Sequence, residues 1–519
     1  MIEVSAQGDE HGPMVTAHTP SLSASTDAPS DDARLLRRLR AHLLEFAPRR
    51  RQGIADRRAM CAPETMRIAT ALRSAAMDGS SAALTLVLAS ISGLPPHDVC
   101  DVPLVAGVPP DRPCALDLAA GTHGYSLDRV LEPAAVAPAD GSALAATRWA
   151  STPLPQFAVD LLRARAATCD EPSTLGDLLG RFDVEARKPV ARGPGVRLRA
   201  TWIRFRRGLG PLALDLGVHS FAAALALCDF GLVTRSSYAY VVVPADHLAA
   251  AVATLYDALG WGPPVTQIGP RLAVGSLTTP TDATVRAFFA VLRGRVERTL
   301  PGRHASLARL AAHHNAYTDY AAALVEFCLL SRQVSRYPLT AAVAAARSGP
   351  LPYQDKATGP TRLARSAPWT SVVGEQIEFY VCHCRALLAR LQRAGSRVPA
   401  AMVRHLAAVA LGADVPLFAH FRANGRPHPI GTADVRHCMS AAPRLAGDAG
   451  RHYFTTRLYM RGMSDRVIDI AMRHAEAGVE HLSSTSMISF AEAEDLIDRA
   501  QRDELARLGI APLAGLSRR

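Results

Sequence analysis

Residues 451 and 452 carry the clearest chemical pattern in the chain. An arginine and a histidine stand side by side at the head of an amphipathic run (RHYFTTRLYM), which Gly462 ends, and Ser464 opens a second run carrying Ile468 and His474. A hydroxyl-rich stretch, SSTSMIS, follows at 483–489. A guanidinium is a planar, permanently charged fork that matches two oxygens of a phosphate. An imidazole can steady the same group or pass a proton, and a hydroxyl can attack phosphorus. The set therefore points to a phosphate ester, held or cleaved. Fixed cationic donors in a partly water-excluded pocket stabilise the charge that develops on the non-bridging oxygens. The same donors bind an unreacted phosphate, so they serve affinity as well as rate. The plainer reading of the hydroxyl-rich stretch is a loop before a last helix at 491–508.

The surrounding elements must present these groups. Helices are expected at 305–312 and 317–331, the second apolar enough to be buried (YAAALVEFCLLS). A Gly/Pro-punctuated segment, LPYQDKATGPTRLARSAPW, separates them from a helix at 372–391. Residues 415–442 read as a connection through Gly425-Arg426-Pro427 into a helix capped by Thr432.

Taken in order and spacing, these residues resemble the C-terminal half of the tyrosine recombinases, the phage-integrase family. There a buried helix ends in a turn whose arginine contacts the scissile phosphate, and Arg332 stands at that place, with Leu330-Ser331 in lieu of the family's Gly-Leu. A hairpin lysine follows, matched by Lys356, whose role would be to protonate the leaving 5′ oxygen; Arg365 and Pro368 then precede a helix as in the family. Arg451-His452 matches the second arginine and its histidine, and His474 lies 474 − 451 = 23 residues on, at the His/Trp position. Asp448 replaces the histidine three residues before that arginine, and an ionised Asp accepts hydrogen bonds but donates none.

The nucleophile departs most. No tyrosine follows Tyr459. Gly478-Val479-Glu480 resembles an insertion of longer members, and that register places Thr485 at the nucleophile, with Ser484 or Ser486 one residue off. A threonine hydroxyl is less acidic than a phenol and a ring shorter. Tyr453 and Tyr459 fall inside the preceding helix and are not expected to substitute. The resemblance thus implies a DNA-binding protein of integration or recombination, of the kind mobile elements carry, without its own tyrosine. The alternatives are a strand transferase using a Thr/Ser hydroxyl, and an unrelated basic helical adaptor in which Arg332, Lys356, Arg451 and His474 lie far apart. No metal or organic cofactor is implied, because the arginines take the place of a cation. Duplex DNA is the expected partner, joined by recombinase subunits or further copies of this chain.

Elsewhere the chain is less specific. Its net charge of +11 and pI near 9.5 suit an anionic partner, although a GC-rich genome writes the same arginine excess. Low aromatic content (6%) with abundant Ala, Leu and Arg favours helices, so the expected fold is mainly α with a small antiparallel sheet in the recombinase-like part. Nine scattered cysteines form no zinc-ligand pattern, and Cys382-His383-Cys384 is expected to pack on a helix. No apolar run is long enough to cross a bilayer and the N-terminus has no signal-peptide pattern, so a cytoplasmic protein with no membrane partner is expected. Residues 1–33 read as a disordered tail, 34–150 as a basic helical region, 151–300 as a helical DNA-binding, core-binding-like region, and 301–519 as the recombinase-like domain. Two basic segments are the candidate DNA contacts. Arg37, Arg38, Arg49 and Arg50 lie in the first; Arg199, Arg204, Arg206 and Arg207 lie in the second, where Trp202 and Phe205 interleave. Arg365 joins them from the C-terminal part. A strand is expected at 238–243 (YAYVVV), then a helix from 245 to 259 closed by Gly260, and another at 282–299.

Overall fold

The computed structural model describes residues 60–107, 114–127, 141–180, 189–191, 200–229, 232–233, 235–266, 272–330, 339–346, 351–353, 365–394, 398–430, 445, 447–473 and 490–517. These residues all belong to one unit, Gln52–Arg519, of the two into which the chain divides. It is mainly helical, with small, mostly antiparallel sheets. One buried apolar cluster runs through it from Met60 to Leu516.

Two antiparallel helices open this unit: α1 (Ala62–Met77) and α2 (Ser81–Ser92). Ser80 caps α2 by accepting from the Ala83 N–H, and Gly93 ends it at φ 68°. A single turn, α3 (Pro96–Val99), leads to β1 (Cys114–Asp117) and β2 (Thr122–Ser126). After β3 (Ala146–Thr147), β4 (Trp149–Pro153) completes the sheet β1-β2-β4. Helices α4 (Gln156–Ala166) and α5 (Leu175–Leu179) follow, the latter started by a Thr174/Asp177 capping box. A short pair, β5 (Pro189–Ala191) and β6 (Ala200–Thr201), precedes α6 (Trp202–Asp215) and α7 (Ser220–Leu227).

The strand expected at 238–243 is largely replaced. A 3-10 turn spans Arg235–Ala239, and only β7 (Val242–Val243) is extended. The turn is held from outside: the Ser237 hydroxyl bonds Asp469, and Thr456 both accepts from the Val242 N–H and donates to the Tyr240 carbonyl. Tertiary partners here outweigh β propensity. Helix α8 (Ala245–Ala258), with Gly260 at φ 66° behind it, matches the sequence reading. Strand β8 (Ala273–Gly275) runs parallel to β3 and antiparallel to β7.

Helix α9 (Asp282–Thr299) agrees with the sequence boundaries. The two helices expected after residue 305 are one, α10 (Leu307–Cys328). The polar stretch His313-His314-Asn315 suggests a break, but its groups are satisfied by other elements. Asn315 takes the Phe421 N–H and donates to the Phe421 carbonyl, and His314 reaches the Ala419 carbonyl. Beyond α10 come α11 (Ala341–Ala346), the antiparallel pair β9 (Leu351–Tyr353) and β10 (Arg365–Ala367), and α12 (Ser371–Arg393). Val372, Val373, Ile377, Tyr380, Cys384, Leu387 and Leu391 form the buried stripe of α12, with His383 buried among them and Cys382 exposed.

Helix α13 (Ala400–Ala410) and the hairpin β11 (Ala419–Phe421) to β12 (Pro427–Pro429) lead to the last three helices. These are α14 (Ala449–Met460), α15 (Asp465–Ala471) and α16 (Phe490–Leu508). Helix α16 supplies the cap that α12 lacks locally: Asp498 accepts from the Ser371 N–H at 2.6 Å, and Glu494 accepts from the Trp369 N–H. No helix among the described residues is long and apolar enough to cross a membrane.

Candidate functional site

The Arg-His pair sits in the first turn of α14. Asp448 is the N-cap, and its carbonyl accepts from the Arg451 N–H (2.8 Å) and the His452 N–H (3.2 Å). Gly450 lets this turn press on the end of α10, since a Cβ there would lie 2.2 Å from the Phe327 carbonyl oxygen. Arg451 is fully buried. It donates to the Met472 carbonyl at 2.6 Å and to the Leu330 carbonyl at 3.3 Å, and its guanidinium lies 4.8 Å from the centroid of the Tyr240 ring.

A second buried arginine meets it. Arg473 donates to the Leu329 carbonyl and, at 2.9 Å, to the Leu330 carbonyl. Two guanidiniums thus converge on the C-terminal end of α10, where unpaired carbonyls and the helix dipole favour cations. Leu330 (φ 51°) and Arg473 (φ 55°) both adopt the left-handed conformation. For non-glycine residues this costs on the order of 1 kcal/mol or more and persists where surrounding contacts impose it.

His452 is bound on both edges. Its Nδ1 is 2.7 Å from the Ser276 hydroxyl, and its Nε2 is 3.3 Å from the Asp448 carboxylate and 3.2 Å from the Thr278 hydroxyl. An ionised Asp448 places the proton on Nε2, so Nδ1 accepts from Ser276. Burial alone would raise the Asp448 carboxyl; the hydrogen bond and charge of His452, with the Arg451 charge beyond, bring it below the usual carboxylate range. The chain of hydroxyl, imidazole and carboxylate polarises Ser276. Ser276 itself is 2% exposed, so this chain fastens α14 to the exit of β8.

No family model, curated protein or solved structure matches this chain.

The candidates named from sequence fall into three groups. Asp448 and Arg451 meet as described. Arg332, Lys356, His474 and Thr485 lie outside the described residues, as do Arg37, Arg38, Arg49, Arg50 and Arg199. Their flanks are described: Leu330 stands two residues before Arg332, Arg473 directly before His474, and Lys356 falls in the connection between β9 and β10. Arg365 begins β10. On α6, Arg207 is exposed and Arg204 half-buried. Arg206 is turned into the protein, donating to the Leu227 carbonyl at 2.5 Å with Asp229 at 3.5 Å.

The two phenols of α14 are engaged. Tyr453 donates to Asp282 (2.9 Å) and accepts from Arg507 (3.0 Å), while Tyr459 is packed against His219 and Phe221. Burial pushes both phenols well above their ordinary range. Sequence reasoning missed Ser276, Thr278, Tyr240 and Arg473. The first three are 173 or more residues from Arg451 in sequence, with no local motif to mark them; Arg473 was legible only as the neighbour of His474. Among the described residues no cluster of three or more His, Cys, Asp or Glu is placed to hold a metal ion. A cavity of about 440 Å³ beside α12, lined by Trp369, Cys382 and Leu411 among others, includes none of these candidates.

Proposed function

We propose that this chain is a duplex-DNA-binding protein of the tyrosine-recombinase type, acting in integration or recombination without a tyrosine nucleophile of its own. One observation carries the reading. Arg451 joins the carbonyl of Leu330, two residues before Arg332, to that of Met472, two residues before His474. Three segments expected to share one phosphate site therefore meet at one buried guanidinium. The local architecture agrees: α14 opens on the Arg-His pair, Gly462 turns at φ 71°, Ser464 caps α15, and β9 and β10 flank the lysine-bearing connection.

In this reading Arg451 and Arg473 act as positioning residues that fix the end of α10. Arg332, Lys356 and His474 are the groups that would meet the phosphodiester. With Tyr453 and Tyr459 locked in packing, and no tyrosine beyond, the site holds DNA without cleaving it.

The test pairs two measurements. A duplex with a nick that traps covalent intermediates is incubated with protein and run under denaturing conditions, and duplex affinity is measured against salt. The expected result is no covalent band, with binding that weakens roughly 10- to 100-fold in Arg332→Ala or Lys356→Ala, the size of one charge-assisted contact. A covalent band lost in Thr485→Ala would overturn the non-cleaving part. Duplex affinity unchanged by both substitutions would overturn the site.

A further inference from the structure

We propose that the corner where α9, α10 and α12 meet is a second nucleic-acid docking surface, one that takes backbone phosphates. It lies outside the recombinase-like site and does not depend on that reading.

Two stretches without any acidic residue come together here: 298–318 and 379–413. The first contributes Arg298, Arg303, His304 and Arg309, and the second Arg385, Arg390 and Arg393. Arg298, Arg303, Arg309 and Arg393 are exposed and Arg390 is half-buried. The elements are tied at this point. Arg309 donates to the Arg298 carbonyl at 2.5 Å, and the Thr299 hydroxyl lies 3.4 Å from His313 Nδ1. Burial first, then the charges of Arg390 and Arg309, hold His313 below its ordinary range against a bond with the Val296 backbone. Successive contacts Tyr317–Gln376 (3.2 Å), Thr318–Tyr380 (3.1 Å) and His314–His383 (3.1 Å) run α10 antiparallel to α12, so the start of α10, with Arg309, lies beside the end of α12, with Arg390 and Arg393.

Among the described residues no carboxylate neutralises it. The nearby ion pair, Arg293–Glu297 at 3.5 Å, leaves Arg298, Arg303, Arg309, Arg390 and Arg393 without a carboxylate partner among the described residues. Arg390 Nη1 is shielded from water and has no hydrogen-bond acceptor among the described residues. Arginines spread over three elements suit a row of phosphates better than one small anion. A membrane fits less well: Leu300, 61% exposed, is the large apolar side chain offered at the corner. One inserted leucine does not hold a protein on a bilayer.

The experiment compares three single charge reversals in the full chain: Arg303→Glu, Arg393→Glu, and Arg67→Glu at a solvent-facing position of α1. Each changes net charge equally. Affinity for a 30-base-pair duplex is measured from about 50 to 200 mM salt, with circular dichroism confirming the fold. Arg303→Glu and Arg393→Glu are each expected to weaken binding at least fivefold and to lower the salt slope by about 0.9, the value of one phosphate contact. Arg67→Glu should stay within twofold of the parent. Equal effects from all three would overturn the surface, since only net charge would then matter. Inorganic phosphate at matched ionic strength should not compete; full competition would mean a small-anion site instead. Binding to phosphatidylserine vesicles without duplex binding would also overturn it. Because Arg332→Ala and Lys356→Ala are measured in parallel, loss at the corner alone or at the recombinase-like site alone is distinguishable.

Discussion

Acidification should destabilise this protein steeply between about pH 6.5 and pH 5, in the range where histidine titrates. Three histidines are held uncharged in the core. The Leu516 N–H donates to His383 Nδ1 (3.0 Å), so the His383 proton is on Nε2 and faces His314 Nδ1 (3.1 Å). His314 must then carry its proton on Nε2, directed at the Ala419 carbonyl (3.0 Å). Every nitrogen of the pair has an assigned role, and adding a proton to either ring sets two donors against each other. Burial is the main cause holding His314 down at about 3, with the neighbouring His405, His420 and His313 adding to it; it holds His383 well below the usual range, with His314, His313 and Arg390 adding to it. Buried His123 is lowered to about 4, and neither ring nitrogen has a partner among the described residues.

The sign follows from linkage. In the unfolded chain each ring binds a proton near pH 6.5, whereas in the folded chain it does not until far lower, so the unfolded state gains protons first and stability falls with pH. At pH 5 each such histidine costs about 2 kcal/mol relative to pH 8, whatever its folded value below 5. His123 and His314 alone cost about 4 kcal/mol, a large share of a typical 5–15 kcal/mol. Carboxyls raised by burial, Asp465 and Glu494, act in the opposite sense. Denaturant unfolding at pH 8, 7, 6 and 5, followed by tryptophan fluorescence, measures the slope. His383→Gln should flatten it. Stability that is level or rising from pH 8 to pH 5 would refute the reasoning.

Two further substitutions test the packing at Arg451. Arg451→Ala removes the side-chain donor to the Met472 carbonyl and leaves the Leu330 carbonyl to Arg473 alone, and should cost roughly 3 kcal/mol or more in unfolding free energy, with Arg451→Lys recovering only part; an effect below 1 kcal/mol would show that neither bond matters. Gly450→Ala should drive α14 off α10, because the new methyl meets backbone at 2.2 Å, lowering stability by about 1–3 kcal/mol; an unchanged denaturation midpoint would refute it.

The sequence alone determined the helices whose signals are local. The cap at Ser464, Gly260 closing α8, Gly462 closing α14, and the apolar stripe of α12 each act through backbone and neighbours a few residues away. The Arg-His pair and its place in a first turn were legible for the same reason. Tertiary structure decided what those residues do. Nothing local announces that Arg451 is enclosed, that its partners are carbonyls at Leu330 and Met472, or that Ser276 and Thr278 hold His452. Nor could the break expected near His313 be judged without β11, whose backbone satisfies His314 and Asn315 and lets α10 run on. Likewise, Arg206 and Arg207 are adjacent and alike in sequence, yet one is buried against Leu227 and the other faces solvent. A side chain's type fixes which bonds it can make, but whether it spends them inside the protein or on a partner depends on what distant segments bring beside it.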